Sequence, residues 1–414
     1  MEQILQQFCF EGKPVSCKPF GTGHINRTFH VTCDSGKEYT LQRINQVAFR
    51  NPEQLIGNID AVTHYIAGIP GAQKTLQLVP AKDGKKFYYD ESGEFWRAYE
   101  FISGGVCLEL PRDTNDFYQA AVAFGGFQRA LADFPAETLY ETIPHFHDTI
   151  DRFRQLHESV KTDAAGRCAE VQPELDFLFA REEALGELCR LQAAGKLPLR
   201  VPHNDTKLNN VLFDEAGKPL CVLDLDTVMP GLTACDFGDA IRFGASTALE
   251  DERDLDKVSM SLPMYRAFLQ GYLDACGDTL TEEEIRTLPL GAKVMTAEVG
   301  LRFLKDHIDG DIYFAIQRPG HNLDRARTQL KLVWDMEQKW DEMQEILHEV
   351  AGIYCSAGKA CVTGDAVRLV LASSIFLVPP QAAGLVHSAA RPLQDANAGA
   401  GLHFGSIGVR PASA

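Results

Sequence analysis

An α+β fold in two lobes, a small antiparallel β lobe followed by a larger, mostly helical one, is what three features of this chain predict. Short β-branched and aromatic runs separated by glycine turns fill the N-terminal quarter, and helical periodicity dominates from Asn115 to about Leu347. The 414 residues, 45% hydrophobic and 23% charged, are enough to bury more than one core. The expected boundaries are 1–105 for the β lobe, 106–350 for the helical lobe and 351–414 for an atypical tail.

Residues 15–20, 27–32 and 38–44 read as a three-strand meander, broken by turns at Gly21-Thr-Gly23 and Asp34-Ser-Gly36. A helix is expected over 52–67. Runs 87–90 and 95–102 complete the sheet, and Tyr99-Glu-Phe-Ile-Ser-Gly-Gly105 reads as the hinge into the second lobe. Helices are then expected at 117–134, 150–160, 173–194, 262–276, 282–308 and 325–347.

A net charge of −17 and a pI near 5.2 argue against nucleic acid or an anionic membrane as partner. Eleven cysteines without a Cys-x-x-Cys pair suggest free thiols in a reducing compartment. With no signal-like N-terminus and no apolar run of membrane-spanning length, a cytoplasmic protein is expected, a monomer by default.

The densest cluster of chemistry is Val201-Pro-His-Asn-Asp-Thr-Lys-Leu-Asn-Asn210, followed by Cys221-Val-Leu-Asp-Leu-Asp226. Transfer of a phosphoryl group needs a carboxylate beside the acceptor hydroxyl and metal ligands that neutralise charge developing on phosphate oxygens. Asp205 suits the base, Lys207 can reach the transferred group, and Asn210 and Asp224 can share a metal, with Asp226 as a second carboxylate. Ahead of this centre, Gly21-Thr-Gly-His-Ile-Asn26 forms a glycine hairpin able to cover phosphates, with Gly21 and Gly23 as its contacts. His145 and His147 in Ile143-Pro-His-Phe-His-Asp148 invite a metal-site reading, but no further ligands follow at a suitable spacing, so a structural loop is expected.

The loop His203-x-Asp205-x-x-x-x-Asn210 and the strand ending at Asp224 resemble the aminoglycoside phosphotransferase and choline kinase group, which shares the protein-kinase-like fold. Leu41-Gln-Arg-Ile-Asn45, Ile143-Pro-His-Phe-His-Asp-Thr149, His203 to Asn210, Ile241-Arg-Phe-Gly-Ala-Ser246 and Gly310-Asp-Ile-Tyr-Phe314 are similar to the N-acetylhexosamine 1-kinases within it. The resemblance runs to about Leu347. It implies ATP and Mg²⁺ at the lobe interface and adenine at the hinge near Tyr99 and Phe101. As acceptor it implies the anomeric hydroxyl of N-acetylglucosamine or N-acetylgalactosamine, with His24, Asp205, Phe243, Arg302 and Tyr313 contacting the sugar. Asp236, within Asp236-Phe-Gly238, matches the family's bracing aspartate rather than its metal ligand.

One departure stands out. The third strand of such a fold carries a lysine for the nucleotide phosphates, whereas this chain reads Tyr39-Thr-Leu-Gln-Arg43, which leaves Arg43 or Gln42 as substitute and Asp60 as a candidate acidic partner. A choline, homoserine or aminoglycoside kinase, and a non-catalytic nucleotide-binding protein, are the alternatives. Beyond Ala351 the only charged residues are Lys359, Asp365, Arg368, Arg391, Asp395 and Arg410, and weak periodicity points to an appendage that is expected to be disordered.

Overall fold

The computed structural model describes residues 1–21 and 25–355. Gly23, His24 and the tail beyond Cys355 lie outside the described residues.

A short turn of helix, α1 (Glu2–Leu5), precedes β1 (Pro14–Pro19), β2 (Arg27–Cys33) and β3 (Glu38–Arg43); then come α2 (Pro52–Ala67), β4 (Tyr88–Tyr89) and β5 (Phe95–Glu100). The strands form an antiparallel sheet in the order β1-β2-β3-β5-β4. Strand alternation sorts the side chains into two sets. Val31, Tyr39, Leu41, Trp96 and Ala98 pack with Phe8 and Val79 on one face. Phe95 and Tyr99 join the core shared with α2 and the second lobe on the other.

The second lobe starts with β6 (Val106–Cys107), which pairs with β7 (Val211–Phe213); β8 (Pro219–Val222) completes this small sheet. Around it lie α3 (Thr114–Ala130), α4 (Thr149–Thr162), α5 (Gln172–Phe179), α6 (Glu182–Leu185), α7 (Glu187–Ala193), α8 (Thr233–Gly244), α9 (Leu262–Cys276), α10 (Glu282–Asp309), α11 (His321–Gln338) and α12 (Trp340–Cys355). Local chemistry sets the ends of the principal helices. Asp113 caps α3, Asp148 caps α4 and Ser261 caps α9, each accepting a backbone N–H, while Thr281 and Glu284 form a reciprocal capping box on α10.

The long α10 is the axis of the lobe, with α4, α8 and α11 packed on it. At the crossing of α8 and α10 the backbones nearly touch: a Cβ on Gly291 would lie 2.1 Å from the Ala234 carbonyl oxygen, and one on Gly238 would lie 2.2 Å from that of Gly291. The glycine of Asp236-Phe-Gly238 is therefore required by helix packing.

Three expected elements differ. The single helix over 173–194 is divided into α5, α6 and α7, with breaks near Arg181 and Gly186. The helix over 325–347 is two, because Lys339 leaves helical register; its ammonium binds Ser259 Oγ, the Met260 carbonyl and Asp335. The boundary at 350 falls inside α12, whose Met343, Ile346, Leu347 and Val350 are all buried. No described helix is long and apolar enough to cross a membrane.

Candidate active site

Residues 201–210 contain no regular helix beyond a final 3₁₀ turn, so their shape must come from outside hydrogen bonds. Asp236, in the first turn of α8 and 1% exposed, supplies two: its carboxylate oxygens accept the N–H groups of His203 and Asn204, each at 2.7 Å. Asp239, one turn on, accepts the Thr206 N–H at 3.1 Å. The His203 ring is fixed too. Nε2 lies 2.8 Å from the Leu223 carbonyl, which can only accept, so Nε2 carries the proton and Nδ1 accepts the Asp205 N–H at 3.3 Å. Asn204, at φ 63°, turns its side chain to the Thr227 carbonyl.

That bracing presents Asp205 with a defined environment. Lys207 Nζ is 2.8 Å from Oδ1, and Asn210 Nδ2 donates to Oδ2 at 3.1 Å and to the Asp205 carbonyl at 2.8 Å. Burial alone pushes the Asp205 carboxyl up, but the Lys207 ammonium and the Asn210 amide outweigh it and hold the group below the usual carboxylate range. Lys207 is raised in turn, chiefly by Asp205. Asp205 is thus ionised at neutral pH and able to accept a hydroxyl's hydrogen bond and proton.

Asp224 follows β8 in a left-handed conformation, φ 53°, and opens into the cleft. The Leu223 N–H bonds the Asn210 carbonyl at 2.8 Å, so the two candidate metal ligands are joined through adjacent backbone. Among the described residues no hydrogen bond reaches the Asp224 carboxylate. Although Asp224 is exposed to the cleft, desolvation by the surrounding lobes and then the negative charges of Asp226 and Asp205 push its carboxyl up from the usual carboxylate range. A carboxylate surrounded by its own sign fits a cation, and with the Asn210 amide oxygen it offers the hard oxygen donors Mg²⁺ prefers, the rest of its shell coming from phosphates and water. No group of three or more His, Cys, Asp or Glu forms a metal cage among the described residues.

Asp226 departs from its expected part as a second ligand. Its Oδ1 pairs with Arg97 Nη1 at 2.5 Å and its Oδ2 accepts from Asn26 Nδ2 at 2.6 Å, so both oxygens are engaged. Arg43 also departs. Strand period two puts it on the face of Tyr39 and Leu41, where it pairs with Glu94 at 3.1 Å, and Asp60 makes no ion pair among the described residues. Gln42 lies on the other face, beside Arg97 in register, and accepts from Arg97 Nε at 2.9 Å.

Arg97 and Asn26 were not picked out from sequence, although a lone Arg within Phe95-Trp-Arg-Ala-Tyr99 is a signal: a charge in a buried strand demands a partner. Asn58 of α2 was missed as well; it bonds the Tyr140 and Val228 carbonyls at 2.8 and 3.0 Å and so ties the small lobe to the large.

At the hinge, Tyr99 is buried beneath the Arg97 guanidinium, 5.0 Å from its ring centroid. Phe101 instead gathers Phe20 and His30 into an aromatic edge, at 5.6 and 4.5 Å. Gly21, at φ 79°, starts the hairpin.

Of the expected acceptor contacts, Phe243 is half-buried on α8, while Arg302 and Tyr313 lie near one another. Arg302 sits between the rings of Phe146 and Phe314, 5.6 Å from each, and Phe314 packs against Tyr313 at 4.7 Å. The alternative pairing of Arg302 with Glu298 does not form, since Glu298 is bound to His147 and Thr149, both at 2.9 Å. That bond and the one from His145 to Asp148 at 3.1 Å account for the two loop histidines.

Residues 16–280 match the profile of the Phosphotransferase enzyme family. Similar solved structures include a microcompartment-associated aminopropanol kinase (16% identity, TM-score 0.55, covering 83% of this chain and 97% of that one). Another is an amicoumacin kinase in complex with AMP-PNP, Ca²⁺ and Ami (14%, 0.54, 80% and 91%). A third is an ethanolamine kinase from Plasmodium vivax (19%, 0.50, 76% and 82%). At these identities the structures establish the fold.

Proposed function

Since the chain belongs to the Phosphotransferase enzyme family, a group of small-molecule kinases, we propose that it phosphorylates the anomeric hydroxyl of an N-acetylhexosamine from ATP. Asp205 would accept the acceptor proton, Lys207 would meet the transferred group, and Asn210 and Asp224 would hold Mg²⁺, which when bound neutralises charge on the phosphates. The hinge edge of Phe20, His30 and Phe101 suits an adenine ring. The AMP-PNP and Ca²⁺ of the amicoumacin kinase favour a nucleotide with a divalent cation here too.

The observation that carries the acceptor assignment is the meeting of two hexosamine-kinase-like strings at Arg302: Phe146 of one and Phe314 of the other close on its guanidinium. Rings and a cation at one spot offer an apolar surface for a sugar face and N–H donors for its oxygens. A cationic acceptor such as choline, ethanolamine or an aminoglycoside would meet two arginines, Arg152 and Arg302, and be repelled. A non-catalytic role is disfavoured by the retention of Asp205, Asn210 and Asp224, with the Asn210 amide bonded to Asp205 and the Asn210 carbonyl bonded to the residue before Asp224.

Incubation with ATP, Mg²⁺ and a panel of N-acetylglucosamine, N-acetylgalactosamine, choline, homoserine and an aminoglycoside, followed by phosphate-position analysis, tests the reading. Turnover of an amine with none of either hexosamine would overturn it.

A further inference from the structure

Two guanidinium groups meet at Phe146 without a carboxylate of their own. Arg152, on α4, donates from Nη2 to the Phe146 carbonyl at 2.6 Å, while its Nε is buried and has no partner. Arg302, on α10, faces the ring of the same residue and, among the described residues, makes neither a hydrogen bond nor an ion pair. The carboxylate between them is Glu298, 1% exposed, and both its oxygens are already taken by His147 and Thr149.

The other acidic groups nearby are committed elsewhere. Asp151 is held by Arg154 and Gln155, Asp148 by His145 and the start of α4, and Asp311 by Arg167 and Asn322. Arg152 thus feels Glu298 and Asp151 but keeps an Nε without a partner, and Arg302, among the described residues, has no ion pair of its own. Burial, and next the charge of Arg302, push the Arg152 guanidinium down from its ordinary value, against the opposing charges of Glu298 and Asp151. Leaving like charges together out of water is costly unless an anion joins them.

The shape favours a particular kind of anion. The Arg302 guanidinium lies 5.6 Å from the rings of both Phe146 and Phe314 and, among the described residues, donates no hydrogen bond, which leaves its N–H groups for the paired oxygens of a carboxylate or phosphate. Tyr313, 73% exposed beside Phe314, adds a hydroxyl donor at the open side.

We propose that Arg152 and Arg302 form an oxyanion-binding subsite, taking a carboxylate or phosphate group next to the acceptor position. The inference rests on the acceptor assignment for its place in the reaction, but the binding site itself does not. The oxyanion arrives either as a substituent of the acceptor, which makes an acidic hexosamine the better substrate, or as a free ion bound alongside a neutral sugar.

Inorganic phosphate is titrated calorimetrically into the full chain after Mg²⁺ and a non-hydrolysable ATP analogue have filled the nucleotide site. Saturable binding is expected, at least tenfold weaker in Arg152→Gln and in Arg302→Gln, and restored in part by Arg152→Lys. Because the Arg302 head is partly exposed, that variant keeps the test valid if the Arg152 variants fail to fold. In parallel, kcat/KM is measured for a carboxylate-bearing N-acetylhexosamine and its neutral parent. A preference for the acid that disappears in Arg302→Gln assigns the oxyanion to the acceptor; equal rates with phosphate still binding assign it to a free ion. Absence of phosphate binding, or equal binding in wild type and variants, overturns the subsite, even when neutral hexosamines turn over well. If no hexosamine reacts yet phosphate binding depends on both arginines, the subsite stands and the acceptor assignment falls.

Discussion

Arg97 and Asp226 form an ion pair of 2.5 Å between the small and large lobes, with side chains only 1% and 4% exposed. The pair is enclosed by Gln42 on one side and Asn26 on the other, so a strand of the β lobe and the segment after β8 are joined by one buried electrostatic contact.

Arg97→Met is expected to destabilise the protein by about 3–5 kcal/mol, because it leaves the Asp226 charge buried and unpaired. The double variant Arg97→Met/Asp226→Leu should recover much of that loss, since both charges are then gone. Urea denaturation of the four members of the cycle checks this; a single variant within about 1 kcal/mol of wild type would show that the pair is not isolated from water.

Asp205→Asn keeps the hydrogen bond from Asn210 but cannot take a proton. Turnover should fall by roughly 10² to 10⁴, the range for a positioned general base, with nucleotide affinity little changed. Single-turnover rates beside ATP-analogue binding separate the two effects, and near-normal turnover would remove Asp205 from proton transfer.

Asp224 and Asp236 should respond differently to the same change. Asp224→Asn is expected to raise the Mg²⁺ concentration needed for nucleotide binding, whereas Asp236→Asn should chiefly lower the melting temperature, because its single amide oxygen can accept only one of the two N–H groups of His203 and Asn204 and its NH₂ faces the other. Mg²⁺ titrations and thermal melts of both proteins reverse the assignment if the outcomes are exchanged.

Glu298 supplies a pH dependence. Burial raises its carboxyl, but His147, Arg152 and Arg302 outweigh this and hold it below its ordinary value of 4.5. The unfolded chain therefore binds more protons in this window, and the contribution is fully present above about pH 4.5 and lost as pH falls through the lower folded value. Glu298→Gln should flatten the acid limb of stability against pH. An unchanged slope between pH 3 and 5 would rule the contribution out.

Gly291→Ala distinguishes packing from propensity. Alanine is better than glycine by about 1 kcal/mol in a helix interior, yet a Cβ here meets the Ala234 carbonyl at 2.1 Å. The crowded crossing of α8 and α10 should win, with a net loss of about 1–3 kcal/mol. A gain in stability would mean the helices separate without penalty.

The order of lobes, the strands 27–32 and 38–44, and the loop from His203 to Asn210 were legible in the sequence, because each depends on local rules: strand alternation, glycine turns, helix periodicity, and residues of one chemistry at short spacing. Asp205, Asn210 and Asp224 lie within one short stretch of chain, so local spacing was enough to associate them. What tertiary structure alone decided involves partners far apart in sequence. Asp226 became a strut once Arg97 crossed to it from β5, Arg43 turned to Glu94 because register set its face, and α12 ran past 350 because its apolar side found α9 to cover. The unpaired state of Arg152 and Arg302 is likewise invisible in sequence. Glu298 stands four residues before Arg302, the spacing of a helical ion pair, and only the fold shows that His147 and Thr149 reach it first.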